Sequence, residues 1–191
     1  MAGNPFDTDR LPVADADELA AVVDLFGALT RAELTDALVE LAYRQRGDVD
    51  DEAVAAAADS AIDWAVERYH LVAYDPADAT DPVAAVETAD GAADETLLTV
   101  GPVSFPALPA EADDLPHILD YPTRSVSRAA LAETVERRLR GDAARAVAAG
   151  DDDRARELLD VTYDLEAWAP GDVSEVRVRL DSALDADADP D

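Results

Sequence analysis

The stretch Phe26-Gly-Ala-Leu-Thr-Arg-Ala-Glu-Leu34 lies where one predicted helix ends and the next begins. Upstream of it, apolar residues recur at the 3.6-residue spacing of an α-helix, from Leu19 to Leu29. Thr30, with Glu33 three residues later, has the pattern of a capping box, in which each side chain hydrogen-bonds the backbone N–H of the other residue. The sequence therefore predicts two consecutive helices with a short join between them.

A third helix and two short strands follow this pair. Apolar residues at helical spacing predict a helix over residues 51–70. The apolar runs 71–74 and 97–100 predict two strands that pair as a hairpin, although residues 71–74 could instead extend the helix. Between the strands, residues 75–95 contain Asp-Pro and Asp-Gly pairs and runs of Ala, which predicts a flexible acidic loop.

The order of these elements over residues 15–100 resembles that of a winged helix, and the join at residues 26–34 is similar to that of many archaeal regulators of this class. The resemblance covers about half of the chain and rests on order and spacing. It implies a lobe in which a DNA-binding protein would read bases with the third helix.

The third predicted helix is acidic, with five acids against the single Arg68, a local charge of −4. These acids are Asp51, Glu52, Asp59, Asp63 and Glu67. DNA phosphates repel such a helix at ordinary salt, so a protein-binding or structural winged helix is favoured over a DNA-binding one. Asp59, Asp63 and Glu67 could together hold a hard cation. An acidic solvated face is far more common, and no specific metal is expected.

The remaining segments predict a second lobe and two irregular ends. Residues 1–14 predict an N-terminal arm, and residues 101–123, with five of the eleven Pro, predict an extended connector at the lobe boundary. Residues 124–184 predict a helical hairpin or small bundle, in which residues 173–184 fit a helix or a strand, with the helix favoured. Residues 185–191 predict a disordered acidic tail. The fold class is therefore mainly α, with a winged-helix-like first lobe that contains a short β-hairpin.

The charge of the chain is unusual in size and in composition. The 191 residues include 44 acidic and 15 basic side chains, a formal charge of −29, and every basic residue is Arg. This composition, with its many Ala and Asp residues, resembles that of proteins from halophilic archaea, whose cytoplasm holds molar potassium. The chain is similar to an uncharacterised haloarchaeal protein family, a domain of unknown function. That resemblance implies an environment and no activity.

Missing residue types exclude several chemistries. Without Cys, the chain has no disulfide framework, Cys-zinc site or iron–sulfur cluster. Without Lys, it cannot form a Schiff base or a Walker A loop. The sequence shows no signal peptide and no apolar run long enough to span a membrane. We therefore expect a cytoplasmic protein without a cofactor and without a membrane partner.

The arginines supply the candidate contact residues. The segment from Arg124 to Gly150 contains six Arg and three acidic residues, which makes it the one stretch of the sequence with a net positive charge. Its candidate nucleic-acid or partner contacts are Arg128, Arg137, Arg138 and Arg140. A second candidate set for phosphate is Arg31, Arg44 and Arg46. The alternative is structural, because Glu133 and Glu136 each precede an Arg by four residues, the favourable order for ion pairs on a helix.

Catalytic signals are weak. His70 and His117 are the only His residues, no Ser lies in a nucleophile-elbow sequence, and a dyad of His117 with a nearby Asp has nothing to mark it. We therefore expect no enzyme, but a protein-interaction or regulatory module with a protein partner or with self-association. The first alternative is a winged-helix DNA-binding transcriptional regulator. The second is a hydrolase without a recognisable motif.

Overall fold

The computed structural model describes residues 5–78, 86–88 and 95–188. These residues form seven helices and five short strands, so the protein is mainly helical. The chain divides into two compact units, Met1–Ser127 and Arg128–Asp191. Within the described part of the chain, no helix is both long enough and apolar enough to span a bilayer.

The first unit begins with three helices, α1 (Ala16–Asp24), α2 (Arg31–Arg46) and α3 (Asp51–Glu67). Each helix is capped by a side chain that accepts hydrogen bonds from backbone N–H groups of the first turn, and the caps are Asp15, Thr30 and Asp50. At α2, the Thr30 hydroxyl and the Glu33 carboxylate each accept a hydrogen bond from the backbone of the other residue. The predicted capping box is therefore confirmed.

The first unit also contains all five strands: β1 (Leu29–Thr30), β2 (Leu71–Tyr74), β3 (Val86–Thr88), β4 (Leu97–Val100) and β5 (Arg124–Val126). β2 pairs with β4 in antiparallel register, with Leu71 opposite Val100, so the predicted hairpin is confirmed. β4 also pairs with β1, and the three strands form a sheet of order β1-β4-β2. β1 is not predicted from the sequence, because a strand of two residues shows no periodicity.

The prolines of residues 101–123 were predicted to mark the lobe boundary, but the structure divides the chain after Ser127. Ala112 and Leu115 are fully buried in the core of the first unit, and a short helix, α4 (Leu115–Ile118), begins at Leu115. β5 pairs with β3. The apolar side chains of this segment therefore hold it on the first unit.

The predicted flexible loop 75–95 is described only in part. Residues 76–78 form a turn of 3₁₀-helix, and β3 lies between two stretches, 79–85 and 89–94, that are outside the described residues. The pairing of β3 with β5 joins residues that are far apart in the sequence. The alternation pattern of a single segment does not predict such a pairing.

The core of the first unit is built mainly from Leu, Val and Ala side chains of α1, α2 and α3. The predicted irregular arm contributes to it, because Phe6, Leu11 and Val13 are buried. The Phe6 ring meets Trp64 edge-on, with 5.6 Å between the ring centroids. An arm without regular structure is therefore fixed by the apolar area it buries.

The second unit contains three helices, α5 (Arg128–Ala149), α6 (Asp152–Trp168) and α7 (Ser174–Ala188). Each helix packs against the other two, so the unit is a three-helix bundle, one of the two predicted forms. The ambiguous segment 173–184 is helical, because Val173, Val176 and Leu180 are buried at helical spacing. Val178, which a strand would have buried with Val176, is 64% exposed.

The predicted tail begins later than expected. α7 continues to Ala188, so residues 185–188, predicted to be disordered, are helical, and residues 189–191 lie outside the described part. Alternating Asp and Ala offers no helix-breaking residue before Pro190, and Ala has the highest helix propensity. The acidic composition alone therefore misplaced the end of the helix.

Candidate interaction surfaces

The predicted contact arginines of α5 are bound within the second unit. The Arg128 guanidinium lies over the Trp168 ring, 4.4 Å from its centroid. Arg140 forms an ion pair with Glu136 at 3.0 Å and also donates to the backbone carbonyl of Asp172 at 3.4 Å. The favourable Glu-to-Arg spacing predicted from the sequence is thus used by Glu136 and Arg140.

The carboxylate of Asp142, in the next turn of α5, lies close to three arginines. Its side chain is only 12% exposed and lies 3.5 Å from Arg138 and 3.8 Å from Arg154, and it also binds Arg145. Arg137 is exposed on the same helix and also interacts with other groups of the protein. The positive charge of α5 is therefore largely compensated inside the bundle, and a contact with DNA or a partner stays a prediction.

The second set of candidate arginines, on α2, also makes contacts within the first unit. Arg31 forms ion pairs with two carboxylates of α3, those of Asp59 and Asp63. Arg44 forms an ion pair with Asp114 at 2.9 Å.

Arg46 donates to three backbone carbonyls of the N-terminal arm, at 3.3, 2.8 and 3.1 Å, those of Thr8, Asp9 and Arg10. The three α2 arginines thus tie α2 to α3, to the segment before α4 and to the arm. These contacts join different segments of the first unit to one another.

Arg124 is the arginine most deeply placed in the first unit. It is 3% exposed, and its two terminal nitrogens donate to the two carboxylate oxygens of Glu33 at 2.7 and 2.8 Å. It also donates to the carbonyl of Ala28 at 3.3 Å. Glu33 therefore serves both in the α2 cap and as the partner of an arginine from β5. The sequence placed Arg124 at the start of the positive stretch 124–150 and gave no sign of which acid it would meet.

This ion pair changes the titration of Glu33. Burial acts to raise the pKa of Glu33, but hydrogen bonds from Arg124 and Thr30 and the charge of Arg124 outweigh it. The pKa of Glu33 consequently lies below its usual value, and the carboxylate is charged at neutral pH.

The outward face of α3 is acidic, as the sequence predicted. Asp51, Glu52 and Glu67 are exposed, and so are Asp59 and Asp63, which share Arg31. Among the described residues, no group of three or more acidic or histidine side chains is arranged to hold a metal ion. The face is thus a solvated negative surface with one arginine across part of it.

His70 lies where α3, the sheet and the start of the following segment meet. Its Nδ1 faces both the Ser104 hydroxyl, at 3.2 Å, and the Asp17 carboxylate, at 3.7 Å, and its ring stacks on Trp64. The Ser104 hydroxyl is also 3.0 Å from the His70 carbonyl, to which it donates. Burial lowers the pKa of His70, while the charge of Asp17 opposes that shift.

These three residue types are those of a hydrolytic triad, but their geometry differs from one. In a catalytic triad the serine binds one imidazole nitrogen, which takes up its proton, and the aspartate binds the other nitrogen and orients the ring. Here Ser104 and Asp17 face the same nitrogen, and Ser104 is 9% exposed. The arrangement therefore fastens the segment after β4 to α1 and α3. His70 is the last residue of the helix predicted over residues 51–70, and no sequence pattern links it to Ser104.

A family model matches residues 17–185: DUF7109, a family of unknown function. The chain belongs to this family. No curated protein and no solved structure matches it. The matched residues run from the first turn of α1 to the last part of α7, so the DUF7109 domain includes both units.

Within the DUF7109 domain, the structure brings some predicted site residues together and separates others. Arg137, Arg138 and Arg140 are all on α5, as predicted. Their neighbour in sequence, Arg124, belongs instead to the first unit. His117 lies exposed on α4.

Proposed function

We propose that this DUF7109 protein is a non-enzymatic protein-interaction or regulatory module built on a winged-helix-like first unit. The order α1-β1-α2-α3-β2-β4 and the sheet order β1-β4-β2 support the winged-helix resemblance. In that resemblance, α3 takes the place of the recognition helix, and the chain between β2 and β4 takes the place of the wing.

One observation carries the choice of a protein partner over DNA: the exposed face of α3 is acidic. A recognition helix that neutralises phosphate needs cations on this face, and each carboxylate there opposes binding. Arg31, the arginine next to this face, is already shared between Asp59 and Asp63. A protein partner imposes no such requirement, because it can present basic or apolar groups.

A winged-helix DNA-binding regulator is the second candidate, and the topology of the first unit favours it. On this alternative, phosphate would be met by exposed arginines of α5 such as Arg137. The third candidate, a hydrolase, is the least favoured, because Ser104 and Asp17 face the same nitrogen of His70.

The test is a pull-down of the tagged protein from native extract held in molar KCl, with and without nuclease. Captured material is identified by mass spectrometry and by DNA sequencing. We expect defined protein partners, or further copies of the chain, that survive nuclease treatment. Discrete DNA fragments that disappear with nuclease would contradict the proposal and favour the DNA-binding regulator.

We further propose that the protein works in the salt-rich cytoplasm of a haloarchaeon. The charge of −29 supports this, because such a surface repels itself at low ionic strength, while the Debye length falls to about 3 Å at 1 M salt. Far-ultraviolet circular dichroism is expected to show full helicity in molar KCl and a loss of it at low salt. Equal helicity in both conditions would contradict this proposal.

A further inference from the structure

The segment Phe105-Pro-Ala-Leu-Pro109, here called the strap, exposes large apolar side chains at the surface of the first unit. Phe105 is 76% exposed and Leu108 is 49% exposed. Two hydrogen bonds fasten the strap to α1: the Phe105 N–H donates to the Asp17 carboxylate at 3.1 Å, and the Ala107 N–H donates to the Asp17 carbonyl at 3.3 Å. The phenyl ring is therefore presented on a fixed backbone.

A fixed, exposed aromatic side chain is well suited to binding a protein. Burying a phenyl ring removes apolar surface from water and contributes on the order of 2 kcal/mol to the free energy of binding. Since the backbone of the strap is already held by Asp17 and limited by Pro106 and Pro109, less conformational entropy is lost on binding.

The charges near the strap restrict what it can bind. No basic residue occurs between Arg68 and Arg124 in the sequence, and the turn after the strap carries Glu111, Asp113 and Asp114. Arg44 binds Glu111 and Asp114, whereas Asp113 is exposed and makes no ion pair with the residues that the structure describes. Two straps would therefore repel each other, and the complementary surface is an apolar groove with basic side chains at its rim.

The second unit has a groove of this kind between α5 and α7, with a volume of about 240 Å³. Its lining residues are Arg140, Ala143, Glu175, Val176 and Arg179. Ala143 and Val176 are buried and form an apolar floor, and Arg179 is exposed and makes no ion pair with the described part of the chain. A cavity of about 150 Å³ already accepts a benzene ring, so the volume suffices for a phenyl group.

We propose that the strap of one molecule docks Phe105 into the α5–α7 groove of a second copy of the chain. Charge complementarity supports this occupant, because the exposed Asp113 beside the strap would meet the exposed Arg179 at the groove rim. The contact is heterologous, since strap and groove are different surfaces. This inference rests on the proposed interaction function and names the partner of one of its surfaces.

The first test is the self-association of the full chain in molar KCl, measured by sedimentation equilibrium over a range of concentrations. Because each docked pair keeps one free strap and one free groove, we expect the average mass to rise with concentration to twice the chain mass and beyond. We expect Phe105→Ala and Arg179→Glu each to weaken this association by about tenfold or more. Tyr43→Ala, at another exposed aromatic (60% exposed), and Arg156→Glu, on α6, are the matched controls and should leave it unchanged. Circular dichroism verifies that every variant is folded.

The second test locates the contact, using the absence of Cys from the chain. Chains carrying Ala107→Cys are mixed with chains carrying Glu175→Cys and treated with a short bismaleimide, so a cross-link between the two positions joins different molecules. We expect this pair to cross-link faster than Ala107→Cys with Ser60→Cys, an exposed position on α3. Equal rates would overturn the proposal.

A protein that stays monomeric at every concentration would also overturn this inference. The nuclease-resistant pull-down then decides whether the interaction function falls with it. Other protein partners would leave that function standing, whereas DNA fragments alone would remove both.

Discussion

The two units of the protein use their arginines differently. In the first unit, Arg124 meets Glu33 across 91 residues of sequence, and Arg44 meets Asp114 across 70. In the second unit, Arg140 meets Glu136 only four residues away. The first unit is thus held by ion pairs between segments far apart in the chain. The second combines pairs within one helix with pairs between neighbouring helices, such as Arg154 with Asp142 and Arg177 with Glu166.

This difference teaches where an arginine matters for folding. A local exposed pair stabilises a helix by a few tenths of a kcal/mol. A buried pair between segments costs much more to break, because the remaining charge is left without its partner. The predictions below compare matched changes in the two units.

Each unit contains one Trp, which allows the two to be followed separately. Trp64 belongs to α3 and Trp168 to α6. Fluorescence-detected urea unfolding of a Trp168→Phe background reports on the first unit, and a Trp64→Phe background reports on the second. All measurements are made in molar KCl, where the repulsion between carboxylates is screened.

The largest effect is expected for Arg124→Ala. The change leaves the Glu33 carboxylate, 18% exposed, without its arginine and should lower the free energy of unfolding of the first unit by about 3–5 kcal/mol. The matched control is Arg145→Ala in the second unit, where the side chain is 73% exposed and the expected loss is below about 1 kcal/mol. Similar losses for the two variants would contradict the distinction between the units.

A smaller loss is expected for Gly27→Ala in the first unit. Gly27 has a φ of 75°, and an added Cβ would lie 2.0 Å from the Arg124 carbonyl oxygen. We expect this clash, added to the backbone strain, to cost about 3 kcal/mol in the free energy of unfolding. Gly150→Ala, in the second unit, has a φ of 63° and open space around its Cβ, so only about 1 kcal/mol of strain is expected. Equal costs would show that the approach of β5 to Gly27 is not rigid.

The smallest effect is a pH dependence in the first unit. Because the pKa of Glu33 is lower in the folded protein than its usual value of 4.5, the unfolded chain binds more protons at acidic pH. The stabilisation is complete above that usual value and is lost as the pH falls through the folded value. In the Glu33→Gln variant, the free energy of unfolding should therefore fall less steeply as the pH is lowered into the acidic range. An unchanged slope would show that the ion pair with Arg124 does not lower this pKa.

Local signals predicted much of the fold. The capping box of Thr30 and Glu33 placed α2, and apolar spacing predicted α1 and α3, because these elements depend on neighbouring residues. The two apolar runs on either side of the acidic loop also predicted the pairing of β2 with β4. Helical spacing also favoured the correct structure for residues 173–184.

Features that depend on distant residues were not predictable in this way. The pairing of β3 with β5 and the contact of Arg124 with Glu33 join segments whose separate sequences show no mark of each other. The Pro-rich stretch indicated a boundary because Pro breaks regular structure. Its buried residues, Ala112 and Leu115, nevertheless fix it on the first unit. For the candidate sites, the sequence identified the arginines but could not tell which of them are paired.

The central claim is that the candidate contact arginines of α2 and α5 bind groups of the protein itself and do not bind phosphate. The most direct test is a titration with duplex DNA of random sequence at several KCl concentrations. We predict no measurable affinity, and no change when Arg137, Arg138 and Arg140 are replaced together by Ala. The claim would be contradicted if the protein bound DNA and the logarithm of the association constant fell linearly with the logarithm of the salt concentration, with a smaller slope for the triple variant.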